Sequence, residues 1–124
     1  MTKYLLISLG AILGANARYL VGVWFADRGW ATFPWGTLTA NLTGAFILSF
    51  FLTLTTERLV ADPNYRFLVA VGFCGSYTTF SSLTYETFTQ WGTNGWWPAV
   101  LNLVGSMLFG MLAVLAGVIA ARMI

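Results

Sequence analysis

The chain has 124 residues, of which 58% are hydrophobic, 17% aromatic and 8% charged, with a net charge of +2. Soluble domains carry roughly 25% charged residues, so ten charged side chains in a chain of this length argue against a soluble enzyme. A mean hydropathy of +0.76 argues against disorder, which leaves an integral membrane protein.

The ten charges are Lys3, Arg18, Asp27, Arg28, Glu57, Arg58, Asp62, Arg66, Glu86 and Arg122. Long uncharged runs separate them: Gly29 to Thr56, Phe67 to Tyr85, and Thr87 to Ala121. About 20 apolar residues cross the roughly 30 Å hydrocarbon layer. The runs therefore predict four transmembrane helices at about Tyr4–Ala26, Trp35–Thr55, Phe67–Phe88 and Trp97–Ala121. Together they form one all-α membrane domain over residues 1–124. Barrel strands would instead show alternating segments of about ten residues.

The first span follows Met1-Thr2-Lys3 and passes through Ala15-Asn16-Ala17, a pattern shared with cleaved signal peptides. Apolar sequence resumes from Tyr19 to Ala26, which favours a plain membrane helix. Gly10-x-x-x-Gly14 suits close helix packing. Arg18 has two readings: a functional charge at depth, or a side chain near the interface that snorkels to water.

The second span opens Gly36-Thr37-Leu38-Thr39-Ala40-Asn41-Leu42-Thr43-Gly44. Thr37 and Asn41 are four apart and share a helical face. The third reads Gly72-Phe73-Cys74-Gly75-Ser76-Tyr77-Thr78-Thr79-Phe80-Ser81-Ser82. Gly72 and Gly75 predict a weakened helix there, and the hydroxyls can satisfy freed backbone groups. Broken helices offer carbonyls to cations and half-helix N-termini to anions. In the fourth span Asn102 and Ser106 share a face, and Ser106-x-x-x-Gly110 fits small-residue packing. The loops hold Gly, Pro, Asn and Asp, as turns require.

Polar residues in membrane helices serve either packing or a pathway, and composition leaves both open here. Their chemistry points toward an anion. Asn amides and Ser/Thr hydroxyls donate hydrogen bonds, and aromatic ring edges are positive. Glu86, near a helix end, is the one carboxylate candidate within a span. A small, strongly hydrated anion needs several donors to replace its water. Cys74 is the single cysteine, histidine is absent, and no cluster has metal-ligand spacing. The six basic residues are too scattered to form a nucleic-acid patch.

With four passes, loops one and three share a side, and all six tryptophans lie at or near it, where amphipathic rings suit the interface. The other side carries Lys3, Arg58, Arg66 and Arg122 with both termini. This excess of basic residues predicts termini in the cytoplasm.

Three motifs resemble the small fluoride channels of the Fluc (CrcB) type: Gly14-Ala15-Asn16-Ala17-Arg18-Tyr19, Gly36-Thr37-Leu38-x-x-Asn41-x-x-Gly44, and Gly72-Phe73-Cys74-Gly75-x-x-Thr78-Thr79-Phe80-Ser81. They occur in family order, and length and span count match across the chain. The resemblance implies a multi-pass protein of the bacterial inner membrane. It implies passive, selective export of fluoride, which enters acidified cells as neutral hydrogen fluoride and is trapped inside as the anion. It further implies a dual-topology antiparallel dimer with two pores. Asn41, Phe80, Ser81, Ser82, Asn102 and Ser106 match pore positions. Arg18, Thr37 and Glu86 are structural or vestibule candidates. A structural sodium ion at the dimer interface would fall on the backbone carbonyls of Gly75 and Thr78. The chain departs from the pattern at Leu83, where a second pore phenylalanine is expected, and at Ser76-Tyr77, where Gly-Leu is frequent. Its charge bias also admits a heterodimer with a similar, oppositely inserted subunit.

Two other functions compete. A four-helix proton-coupled multidrug transporter needs a carboxylate in the first helix, and the first span has none. A non-transporting membrane subunit predicts no flux. An enzyme is disfavoured, because no acid/base pair, activated nucleophile or phosphate loop is visible.

Overall fold

In lipid, backbone N–H and C=O groups must be satisfied internally, so uncharged runs become helices. A computed structural model describes residues 1–30, 32–59 and 62–124. α1 spans Thr2–Ala26 and α2 spans Trp35–Thr53, continued by a π-helical turn at Leu54–Arg58. The next pass begins with α3 (Pro63–Tyr65), becomes π-helical over Arg66–Cys74, and closes with α4 (Gly75–Tyr77). It resumes as α5 (Phe80–Asn94), and α6 (Trp96–Met123) makes the last pass. Among the described residues, four helical stretches are long and apolar enough to cross a membrane: Thr2–Ala26, Trp35–Glu57, Pro63–Asn94 and Trp96–Met123.

The stretches overrun their predicted ends, most of all in the third, which reaches Asn94 rather than Phe88. A helix does not stop at the edge of the hydrocarbon layer. It stops at a backbone signal, here Gly95 with φ +88°, a left-handed conformation that glycine adopts without penalty. Gly29 (φ +73°) ends α1 in the same way. Its N–H reaches the Ala26 carbonyl at 3.0 Å, and the Trp30 N–H reaches Phe25 at 3.2 Å, the bond pair of a Schellman motif. Asp62 starts the third pass by accepting from the Asn64 N–H at 2.9 Å, with Pro63 at the first helical position.

Apolar side chains face outward, and small or polar ones face inward. Leu5, Leu20, Leu108 and Leu115 are exposed, while Ala40, Cys74, Ala99, Ala121 and Asn102 are buried. Lipid is as apolar as leucine, so helices associate through close approach and polar bonds rather than through hydrophobic burial. α1 lies against the π-helical segment, where a Cβ at Gly10 would strike the Leu68 carbonyl and one at Gly14 the Phe73 carbonyl. α6 meets α2 at Gly117, against Ser49 and the Phe46 carbonyl. Of the small-residue pair Ser106 and Gly110, Ser106 faces the interior, while a Cβ at Gly110 would meet nothing within this chain.

The third pass breaks inside the stretch its sequence marked, three residues beyond the second glycine. Gly72 and Gly75 are both helical; the chain extends at Thr78 (ψ 154°) and Thr79 (φ −151°, ψ 118°). Gly72 serves close packing against Ile7 and Gly10 instead. α2 holds the break. Thr43 Oγ1 lies 2.8 Å from Tyr77 Oη, and a Cβ at Gly44 would collide with Thr78. At the end with the termini, Arg122 forms a bidentate pair with Glu57, both bonds 2.9 Å, which joins α6 to the end of α2. At the tryptophan end, the Arg28 guanidinium sits 3.7 Å from the centroid of the Trp24 ring.

Candidate functional site

Asn41 is the hinge of the site. Its Nδ2 donates to the Thr79 carbonyl at 3.1 Å, and its Oδ1 accepts from the Thr79 N–H at 2.7 Å. One amide side chain thus takes both backbone groups of the extended residue, which have no helical partners at the break. The first backbone groups of α5 are satisfied locally: Ser82 N–H donates to Thr79 Oγ1 at 3.1 Å, a side-chain N-cap.

Beside this clamp lies a cavity of about 440 Å3. Asn41 comes to it from α2, Thr78 and Thr79 from the break, Phe80 and Leu83 from α5, and Ser106 from α6. Ser106 is buried and its Oγ has no partner among the described residues. A buried hydroxyl without a partner is costly unless something absent from the protein completes it. Phe80 is 76% exposed, so this wall is open on the outer side of α5.

One turn earlier on α6, Asn102 is almost wholly buried. Its Nδ2 donates to Thr87 Oγ1 at 2.9 Å, and Thr87 Oγ1 in turn donates to the Leu83 carbonyl at 2.7 Å. The Asn102 Oδ1 has no protein partner. Nearer the tryptophan end, Thr37 Oγ1 donates to Glu86 Oε1 at 2.7 Å. Polar side chains therefore lie on facing helices: Thr37 and Asn41 one turn apart on α2, Glu86 and Thr87 on α5, Asn102 and Ser106 one turn apart on α6.

The structure gathers three of the six expected pore residues, Asn41, Phe80 and Ser106, around one cavity. Asn102 sits one turn away, on Thr87. Ser81 and Ser82 are not among the lining residues. Both hydroxyls bond Thr79 Oγ1, at 3.2 and 3.1 Å, and belong to the cap of α5. Leu83 does line the cavity, at the position where the second phenylalanine is expected. Arg18 does not line the cavity; it is half-buried, and its Nε has no partner among the described residues. Two residues that sequence reasoning missed complete the set. Thr79 is the partner of Asn41, and the Thr79-x-x-Ser82 spacing signals its capping role. Thr87 is the partner of Asn102, signalled only by its place four residues after Leu83.

The sodium positions can be tested by their backbone bonds. An uninterrupted helix would bring the Thr79 N–H to the Gly75 carbonyl and the Ser82 N–H to the Thr78 carbonyl. Both donors are diverted, the first to Asn41 Oδ1 and the second to Thr79 Oγ1. The two carbonyls thereby lose those helical donors, and uncharged oxygen dipoles of this kind suit a hard monovalent cation. Among the described residues there is no group of three His, Cys, Asp or Glu side chains that would hold a metal in another way.

Residues 5–118 match the family described as CrcB-like protein, Camphor Resistance (CrcB). The chain belongs to the CrcB-like family. Its relatives include a protein of Sulfurihydrogenibium sp. (strain YO3AOP1), named Fluoride-specific ion channel FluC. That protein is 47% identical over 124 residues, which is 100% of both chains. Proteins of the same name from Koribacter versatilis (strain Ellin345) and Solibacter usitatus (strain Ellin6076) are 45% and 44% identical. They cover 91% and 97% of this chain and 90% and 98% of their own. The CrcB-like match spans all four membrane passes, including the Asn41–Thr79 clamp and the cavity beside it.

Proposed function

We propose that this chain is a fluoride-selective ion channel, which lets cytoplasmic fluoride leave passively down its electrochemical gradient and so relieves fluoride toxicity. Ser106 carries the reading: a buried hydroxyl with no protein partner, facing a membrane-embedded cavity shared with the Asn41 amide and Phe80. Fluoride is small and holds its water tightly, so each step of its path must supply hydrogen-bond donors in place of that water. Asn41 spends one amide hydrogen on Thr79 and keeps the other. The Phe80 ring can add its positive edge. Among the described residues no carboxylate or basic side chain lines this cavity, so the anion meets neither a repelling charge nor a trap.

The working unit is a pair of chains, inserted in opposite directions. Phe80, Tyr85, Phe88 and Trp91 are exposed on α5 beside exposed Ser81 and Thr84. Hydroxyls facing outward from a membrane helix suit a protein partner better than lipid. A second copy is the simplest partner, and a similar subunit is the other. A sodium ion held between two chains would draw on the Gly75 and Thr78 carbonyls of each and fix the break. The protein resides in the bacterial inner membrane.

Purified protein in liposomes is expected to release fluoride, measured with an ion-selective electrode, and to release no chloride above the protein-free level. Fluoride release equal to that of empty liposomes rejects the proposal. Leu83 permits a second prediction. Leu83→Phe adds a ring to the cavity wall and is expected to change the fluoride rate by about threefold or more, because pore lining sets conduction. An unchanged rate would place this position outside the path.

A further inference from the structure

The tryptophan-rich end holds a second cavity, of about 410 Å3, and its chemistry differs from that of the first. No Lys or Arg is among its described lining residues, and one carboxylate, Glu86, lines it. Glu86 Oε1 is taken by Thr37, while Oε2 is buried and has no protein partner. One turn along α5, Gln90 also lines this cavity. It is 6% exposed, and neither its Oε1 nor its Nε2 has a partner among the described residues. A buried carboxamide with every polar group unmatched is costly in a finished core and is reasonable in a binding site.

The remaining wall is aromatic. Phe25 and Trp30 lie 5.8 Å apart between ring centroids, and Phe33 and Trp35 lie 4.7 Å apart; all four rings line the cavity. Ring faces are negative and attract cations. The unmatched atoms are two acceptors, Glu86 Oε2 and Gln90 Oε1, and one donor group, Gln90 Nε2; the carboxylate supplies the charge, so the ligand it calls for is a cation that donates N–H bonds. The rings call for a ligand with an apolar body. A bare metal ion meets only one of these demands, since it wants a full shell of oxygens.

We propose that this cavity binds a small primary alkylammonium ion. The ammonium donates to Glu86 Oε2 and Gln90 Oε1, and the alkyl chain lies against Trp30 and Trp35. The site is at the end of the bundle where the tryptophans gather, and Thr37, which holds Glu86, is one turn from Asn41. A bound cation would therefore stand over one end of the polar track.

The test uses the full chain in detergent, titrated with n-butylammonium chloride and read by tryptophan fluorescence and calorimetry. Saturable binding is expected, with n-butanol at least about tenfold weaker and Glu86→Gln weakened by about tenfold or more. Gln90→Leu is expected to weaken it as well, and it decides the matter if Glu86→Gln does not elute as intact protein. The proposal is overturned by an absence of saturation, by n-butanol binding as tightly, or by unaltered binding in an intact Glu86→Gln or Gln90→Leu variant. Tetramethylammonium binding as tightly as n-butylammonium also overturns it, because that ion has no N–H to donate. Binding is read without flux, so its failure leaves the channel reading untouched.

Discussion

Asn41→Asp is expected to reduce fluoride release by at least about a hundredfold, measured with an ion-selective electrode on liposomes carrying the variant. Two effects combine. The new carboxylate keeps one oxygen for the Thr79 N–H, at the place of Oδ1, but turns a second oxygen toward the Thr79 carbonyl, where Nδ2 now donates. It also places a negative charge on the wall of the cavity. Two like unit charges 4 Å apart repel by about 4 kcal/mol at an effective dielectric constant of about 20. That raises a barrier by roughly a thousandfold in rate, which leaves a wide margin for screening by water. Asn41→Ala separates the two effects, since it loses both Thr79 bonds without adding charge. A smaller loss in the alanine variant assigns the remainder to electrostatics. Wild-type flux in Asn41→Asp would return Asn41 to a packing role.

The fold was largely legible because lipid simplifies the code. A long uncharged run has few alternatives to a helix, and the four passes appear where those runs lie. The break was legible as a region but not as a position. Glycine marks where a helix can yield, and the hydroxyls after Gly72 and Gly75 mark where freed backbone can be satisfied, which leaves the stretch to residue 82 open. The extended residues are Thr78 and Thr79, because Asn41, 38 residues away in sequence, takes both backbone groups of Thr79. No local propensity encodes a bond of that kind. Ser81 and Ser82 show the same limit. The sequence offers their hydroxyls as a continuation of the polar track; the fold also bonds both to Thr79 Oγ1 at the start of α5, a partner that only the break creates. Asn102 and Ser106 were legible as a shared face. Their different fates were not, because Thr87 occupies one and nothing in the protein occupies the other.

The contrast between the two cavities also bears on how an anion would be handled. At the break, the donors are neutral, and Asn41 is held in place by two bonds to the Thr79 backbone. At the tryptophan end, the one carboxylate is held at Oε1 by Thr37. Thr37 thereby spends its hydroxyl proton on Glu86 and fixes the position of a negative group at the end of the track. The same face of α2 carries Asn41 one turn deeper, so a small shift in the register of α2 would move the carboxylate's anchor and the break's clamp together.

That register depends on how closely the helices approach, which sets the last expectation. Gly14→Val is expected to abolish the assembled protein, read as the loss of the monodisperse peak in size-exclusion chromatography. Without a hydrophobic force between helices, α1 is held to the third pass by direct backbone contact. A Cβ at Gly14 would overlap the Phe73 carbonyl oxygen and lie 3.0 Å from its carbon; one at Gly10 would lie 2.8 Å from the Phe73 nitrogen. Backbone atoms inside two packed helices cannot rotate away as a flexible side chain can. Overpacking that a side chain relieves costs about 1–3 kcal/mol, and here the helices must separate, which sets the cost at or above the upper end. Helix propensity acts in the opposite direction, because Val is a better helix former than Gly by a few tenths of a kcal/mol. Gly110→Val is the matched control, since nothing lies near a Cβ there, and it is expected to elute as wild type. A stable Gly14→Val variant would mean that α1 and the π-helical segment stand further apart than the glycines require.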